Sequence, residues 1–277
     1  MLNSEQEQYE IGFRDRWQSF RSRNWFFVET VLPSLLEISQ KVLNRPITLN
    51  GKTDEVVYLL GKAAMEDYFE IWVLCGNGYG VGGLKILRGL FEKVVTAGYI
   101  AKNSELTQDF LDYGVIQARK FYNVAKASGV SLPPEVQAIS SDIDATYAEL
   151  KDRFEGPKGA APSWNTLDLI SMAKKVGLGL DTVTLWAYSR ANLSVHATPI
   201  DLFHRKRIIG EKKFEFIAEP QSADADMAIR AGIVVLIANL RIQNAYFELG
   251  VEPEIARLEK IAEAEVQRLN DKLQTDS

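Results

Sequence analysis

Arg88 and Glu92 stand four residues apart in LKILRGLFEKVV, a segment whose apolar positions recur at helical spacing. Four residues is about one helical turn, so the guanidinium and the carboxylate are neighbours on one surface. Arginine before glutamate is the weaker orientation of such a pair, so helix stability alone gives little reason for it. Two readings follow. One is an ordinary salt bridge. The other is a half-buried charged pair facing a cleft, where the arginine is placed to meet an anionic ligand.

A second group lies in YSRANLSVHATP, Tyr188 to Pro199. Ser189, Asn192 and His196 fall at i, i+3 and i+7, which an α-helix places on one face, with Leu185 and Leu193 alongside. His196 is expected in the last turn, where the helix dipole favours an imidazolium. A cationic histidine beside Asn192 has the chemistry to bind an anion or to act as a general acid. The bland reading is a core histidine satisfied by a neighbouring helix.

Metal chemistry has little to work with. The chain has two histidines, His196 and His204, with Asp201 between them, and Pro199 interrupts their spacing. No H-E-x-x-H, C-x-x-C or G-x-S-x-G occurs, so neither a metal, a cofactor nor a serine nucleophile is expected. The basic run HRKRIIGEKK, His204 to Lys213, suits contact with phosphate or an acidic partner, or else a solvated hairpin. Gly78, Gly80 and Gly83 match G-x-G-x-x-G, but the apolar spacing before them (Val56, Leu60, Ala64, Tyr68, Ile71, Cys75) is that of a helix. A dinucleotide fingerprint needs a strand there. The glycines are expected to form a hinge, with Gly76, Gly78 and Gly80 supplying positive φ.

These groups must be positioned by helices. The 277 residues carry a net charge of −5, with 46% hydrophobic and 25% charged residues, which argues for a sizeable core and against a global field for nucleic acid or anionic membrane. One cysteine, Cys75, excludes an intrachain disulfide, and the acidic N-terminus does not read as a signal peptide. A cytoplasmic protein without membrane partners is the expectation. Helices are expected over 4–22, 25–43 and 53–75, through LKILRGLFEKVVTAGYI and KNSELTQDFLDYGVIQARKFYNVAKASGV, then over 134–154, 164–176, 181–197, 222–249 and from Pro253 onward, with a mobile loop at RFEGPKGAAPSW. The segment RKRIIGEKKFEFIAEP carries the β signal. The fold class is therefore all-α, a bundle of about ten helices with one β-hairpin insertion near 206–218. The chain divides into an N-terminal helical hairpin (1–50), a main helical domain (51–250) and a C-terminal amphipathic helix (251–277), whose apolar stripe suits docking on the domain or pairing in a homodimer.

The pieces Asn77-Gly78-Tyr79-Gly80, Leu87-Arg88-Gly89-Leu90-Phe91-Glu92, Tyr113, Trp164, Gly177-Leu178, Tyr188 and His196 resemble, in that order, a bacterial all-helical family of unknown function over residues 55–250. The resemblance implies that Arg88, Glu92, Tyr188 and His196 converge on one polar pocket. It implies no reaction. The family often has serine four residues before the histidine and a His-Pro step after it; here stand Asn192 and His196-Ala197-Thr198-Pro199. Arg190-Ala-Asn-Leu-Ser-Val-His196 also resembles the HEPN ribonucleases and toxins, which use an arginine followed four to six residues later by a histidine. That resemblance implies metal-independent RNA cleavage in stress response or phage defence, with Arg190 and His196 catalytic. On an ideal helix those two point about 120° apart, so sharing a site requires an unwound helix end or a second subunit. Three readings stand open: a module binding a small anionic ligand or a partner protein, a HEPN-type ribonuclease, and a structural or assembly protein.

Overall fold

The computed structural model of the chain describes residues 14–43, 46–138, 140–156, 159–160, 163–196, 198–199, 206–216 and 224–275. Three long helices form its centre: α3 (Lys52–Gly76), α4 (Gly80–Lys102) and α11 (Ala225–Tyr246). The third is apolar nearly all round, as expected of a helix enclosed by others. Between α3 and α4 the chain reverses over Asn77–Tyr79, with Gly78 at φ +87°. The Tyr79 N–H returns to the Leu74 carbonyl at 2.8 Å, closing α3. The glycine run is therefore a helix stop and hinge, all-helical on both sides. Gly78 alone in it uses positive φ; Gly76 and Gly80 are helical. Gly76 leaves room for Trp17, since a Cβ there would fall 1.8 Å from the indole.

Close approach between the three helices depends on small residues facing large ones. A Cβ on Gly232 of α11 would meet the Tyr68 ring of α3 at 2.8 Å, and one on Gly83 of α4 would meet the Cys75 sulfur at 2.5 Å. Two amides of α11 then reach into α3. Asn239 Nδ2 donates to the Gly61 carbonyl at 3.0 Å, and Gln243 Nε2 to the Val57 carbonyl at 2.9 Å. Both side chains are fully buried. The pairing Gly61–Gln243 and Tyr68–Gly232 makes α3 and α11 antiparallel, while Gly83–Ala228 and Gly98–Ile242 make α4 and α11 parallel.

Other elements cover this centre. α1 (Arg14–Arg23) continues through Asn24, whose N–H bonds the Phe20 carbonyl, into a π-helical turn (Phe27–Val31) and α2 (Leu32–Leu43). Pro33 follows the wide turn and has no N–H for an α-helical bond. α5 (Thr107–Ala127), α6 (Pro134–Ala138) and α7 (Ser140–Leu150) lie to one side, the last two falling within the expected 134–154 helix on either side of residue 139. β1 (Glu155–Gly156) pairs with β2 (Gly159–Ala160) within the expected loop. The helix expected from Trp164 begins later, as α8 (Leu169–Val176), because Asp168 caps it by accepting from the Ser171 N–H at 2.8 Å. Trp164 instead packs edge-on against Phe110.

α9 (Leu180–Thr184), a second π-helical turn (Leu185–Arg190) and α10 (Ala191–Val195) then run against both α4 and α11. β3 (Lys206–Gly210) and β4 (Lys213–Phe216) form the expected hairpin, standing exposed beside the bundle. α12 (Glu252–Thr275) returns along α11. Arg241 of α11 holds it with a bidentate pair to Glu259 (2.7 and 2.8 Å) and a bond to Glu252 (3.1 Å). Among the described residues no helix is long and apolar enough to cross a membrane.

Two predictions follow from this packing. A methyl at Gly61 would sit 2.3 Å from Gln243 Nε2 and displace it from the Val57 carbonyl. Gly61→Ala should therefore cost about 1–3 kcal/mol despite alanine's better helix propensity, lowering the Tm by several degrees in calorimetry. An unchanged Tm would mean that the amide is dispensable. The second concerns Tyr246, whose hydroxyl donates to Asp54 at 2.8 Å and ties α11 to the start of α3. Burial first, and then the Asp54 carboxylate, push its pKa up to about 12. A raised folded pKa means stability that is complete below the unfolded value, about 10, and is lost as pH rises toward the folded one. Between pH 10 and 12 the wild-type Tm should fall more steeply than that of Tyr246→Phe.

Candidate functional site

Arg88 and Glu92 occupy successive turns of α4, on the side facing the π-helical turn Leu185–Arg190. The apolar run of α4, including Leu84, Leu87, Phe91 and Val95, is buried, and the pair lies at its edge. Arg88 Nη2 meets Glu92 Oε1 at 2.8 Å, with the side chains 25% and 42% exposed. The arginine is therefore half-buried and the glutamate nearer to solvent. The Arg88 guanidinium carbon lies 5.5 Å from the centre of the Tyr188 ring, within cation–π range. Tyr188 also packs on Phe91, with ring centres 6.3 Å apart. The structure thus brings Arg88, Glu92 and Tyr188 together from two elements. Arg88 Nε is buried without a hydrogen-bond partner. Among the described residues Glu92 is the carboxylate that pairs with this guanidinium.

The π-helical turn changes the expected helical face. A π turn bonds i to i+5 and carries one extra residue per turn, so α-helical spacing no longer predicts which side chains align. Ser189 is exposed, Asn192 is half-buried and His196 lies beyond the end of α10 in extended conformation (φ −95°, ψ 150°), exposed to solvent. The three do not form one face of one helix. His196 is not a core histidine; as the C-cap its N–H closes the last turn of α10 on the Asn192 carbonyl at 3.3 Å.

Arg190 is committed elsewhere. Its Nη1 donates to Ser194 Oγ at 3.1 Å and its Nη2 to Asp224 Oδ2 at 2.5 Å, with both charged side chains 16% exposed. Asp224 precedes α11 at φ +67°, a left-handed position that aspartate tolerates better than most side chains. Below it, Asp226 in the first turn of α11 takes Arg23 at 3.1 Å and the Asn24 amide at 3.0 Å. Two carboxylates at the helix N-terminus, where the dipole favours negative charge, thus anchor the C-terminal end of the π-helical turn and α1. Sequence reading missed Asp224 and Ser194 as partners of Arg190. The signal present was the aspartate-rich run Ser222-Ala-Asp-Ala-Asp226 ahead of a long apolar helix.

Among the described residues no group of three or more His, Cys, Asp or Glu is placed to hold a metal ion. Asp201 and His204, the metal-capable residues that follow His196 in the sequence, and the start of the basic run lie outside the described residues. Cys75 is 1% exposed, and burial pushes its thiol up to about 12, so it has no thiolate character at neutral pH.

The Arg190–Asp224 bridge yields a stability prediction. Arg190→Met leaves a mostly buried carboxylate without its cation, and should cost about 2–4 kcal/mol in denaturant unfolding. The double variant with Asp224→Asn should recover part of that loss; if it recovers none, the two side chains are not coupled.

No curated protein and no solved structure matches the chain. A family of unknown function, DUF5677, matches residues 54–215, more than half of the chain and a span that holds Arg88, Glu92, Tyr188, Arg190 and His196, and the chain belongs to that family.

Proposed function

We propose that the protein is a non-enzymatic helical module that takes an anionic group, carboxylate or phosphate, at Arg88. The anion is either a free small molecule or a group displayed by a partner protein. The observation that carries this reading is the state of the guanidinium. Its plane is held by the Tyr188 ring and by Glu92, its Nε is buried and unpartnered, and a quarter of the side chain remains open. Arginine has five N–H donors in a fixed fork, and one contact to Glu92 uses a fraction of them. A guanidinium fixed in direction but short of acceptors is preorganised for an anion, because little rotamer entropy is left to lose.

The ribonuclease reading draws less support from the same region. It needs Arg190 free to stabilise a phosphate, and that side chain is occupied by Asp224 and Ser194. His196 is exposed, as that reading requires, but lies past the helix end. The assembly reading needs the polar groups buried and mutually satisfied, whereas Ser189 and His196 face solvent and Arg88 is partly open.

A thermal-shift screen tests the proposal. Inorganic phosphate, sulfate, dicarboxylates, nucleoside monophosphates and a phosphoserine peptide are titrated against the wild type and Arg88→Met. At a hundred times Kd a ligand stabilises the folded state by about 2.7 kcal/mol, a readily measured rise in Tm. The expected result is a saturable rise in the wild type that Arg88→Met lacks although its own unliganded Tm is kept. Small anions and the peptide separate the two sources of the group. No shift with any of them, or equal shifts in both proteins, would overturn the reading. So would cleavage of single-stranded RNA or tRNA in EDTA that His196→Ala abolishes.

A further inference from the structure

Away from Arg88, two clefts lie over α11. The first, about 590 Å³, is formed by the end of α4, the link from α8 to α9 and the start of α12. The second, about 500 Å³, lies between the start of α9, α11 and the middle of α12. Leu178 and Arg241 line both, so the two are neighbouring lobes with those side chains between them. Each volume is in the range of small-molecule sites.

Leu178 is unusual in two ways. It sits at φ +57° between Gly177 (φ +74°) and Gly179 (φ +76°), so three successive residues take positive φ. For a leucine that conformation costs about 1–2 kcal/mol, whereas glycine adopts it freely. The strained side chain is also 41% exposed. An apolar group held out of the core at a conformational cost, on the shared wall of two clefts, is the kind of strain that gathers at ligand sites.

The chemistry of the lining identifies the occupant. The floor is aliphatic: Val176, Ile242 and Ala101 in the first lobe, Ile233, Val234 and Ile237 in the second. Its polar groups are largely engaged with the protein itself. Arg241 is held by Glu252 and Glu259, and the Tyr246 hydroxyl by Asp54. An extended peptide would bring backbone N–H and C=O groups that need partners, and these walls offer few. A hydrocarbon chain needs none. The remaining polar feature is Lys102 at the end of the first lobe. Its ammonium gives two of its three protons to the Val176 and Lys175 carbonyls, at 2.8 and 3.2 Å, which leaves one directed elsewhere. The first lobe also carries Glu252, which is paired with Arg241, whereas the second carries Glu259 and Glu263 and has no such cation among its lining residues.

We infer that the two lobes together bind one elongated acyl-type chain, its anionic head at Lys102 and its tail passing over Leu178 into the second lobe. The site is separate from Arg88 and does not rest on the anion-binding proposal.

The test is displacement of a fluorescent dansyl fatty acid from the whole protein by octanoate, decanoate and laurate, with dodecanol and dodecylamine as head-group controls. Affinity should rise by about fourfold per added methylene. Laurate should bind better than dodecanol, and dodecylamine worst. Ala245→Trp, on the wall of the first lobe, and Val234→Trp, in the second, should each weaken laurate by about tenfold or more while keeping the wild-type Tm. If one of them fails to fold, the other reads the same site. Lys102→Met should bring laurate down to the level of dodecanol, and Lys102→Arg should restore the difference. Absence of saturable laurate binding below its micellar concentration would overturn the inference. So would indifference to both tryptophan variants, or displacement by an amphipathic helical peptide but by no fatty acid.

Discussion

The contact between α3 and α11 governs the rest of the molecule. Two fully buried amides, Asn239 and Gln243, donate to main-chain carbonyls of α3, and glycines at 61 and 232 let the helices come close enough for those bonds to form. Buried N–H groups are costly unless partnered, so these donors penalise other registers of the two helices, although Asn239 Oδ1 and Gln243 Oε1 are buried without a hydrogen-bond partner. Leu, Ile and Val alone would let one helix slide or rotate on the other at small cost. The apolar contacts supply the driving force, and the amide bonds supply the register.

From that register the positions of both candidate sites follow. α4 is fixed to α3 by the hinge at Gly78 and to α11 through Gly83 and Gly98. Arg88 is thereby presented at the edge of the core, where the π-helical turn lays Tyr188 against it. The turn is itself anchored at its C-terminal end by Arg190 on Asp224, at the head of α11. Further along α11, Arg241 fixes α12 and sets the boundary between the two lobes. The N-cap of one helix therefore holds the carboxylate that anchors the turn beside the first candidate site, and the same helix carries the arginine that shapes the second.

Much of the fold was legible in the sequence because it rests on local patterns. Helical spacing from Val56 to Cys75 excluded a strand before the glycines, and alternation around Gly210 indicated the hairpin. Less of the site was legible. Arg88 with Glu92 was readable from spacing, and their meeting with Tyr188 was an implication of family resemblance. The face of Ser189, Asn192 and His196 was not readable, because a π turn is selected by packing against α4 and α11 and leaves no periodic trace. Arg190 looked available because its partner stands 34 residues away at a left-handed position. Leu178 had a sequence signal in its flanking glycines, but neighbouring residues do not reveal that a leucine takes positive φ.

The most direct measurement is an NMR titration of the arginine Nε–Hε resonances with inorganic phosphate, in the wild type and in Tyr188→Ala. The account predicts that the Arg88 resonance moves saturably while those of Arg190 and Arg241, already held by carboxylates, stay in place, and that loss of the Tyr188 ring weakens the response. An Arg88 resonance that phosphate leaves unmoved, or moves no more than the other arginines, would contradict it.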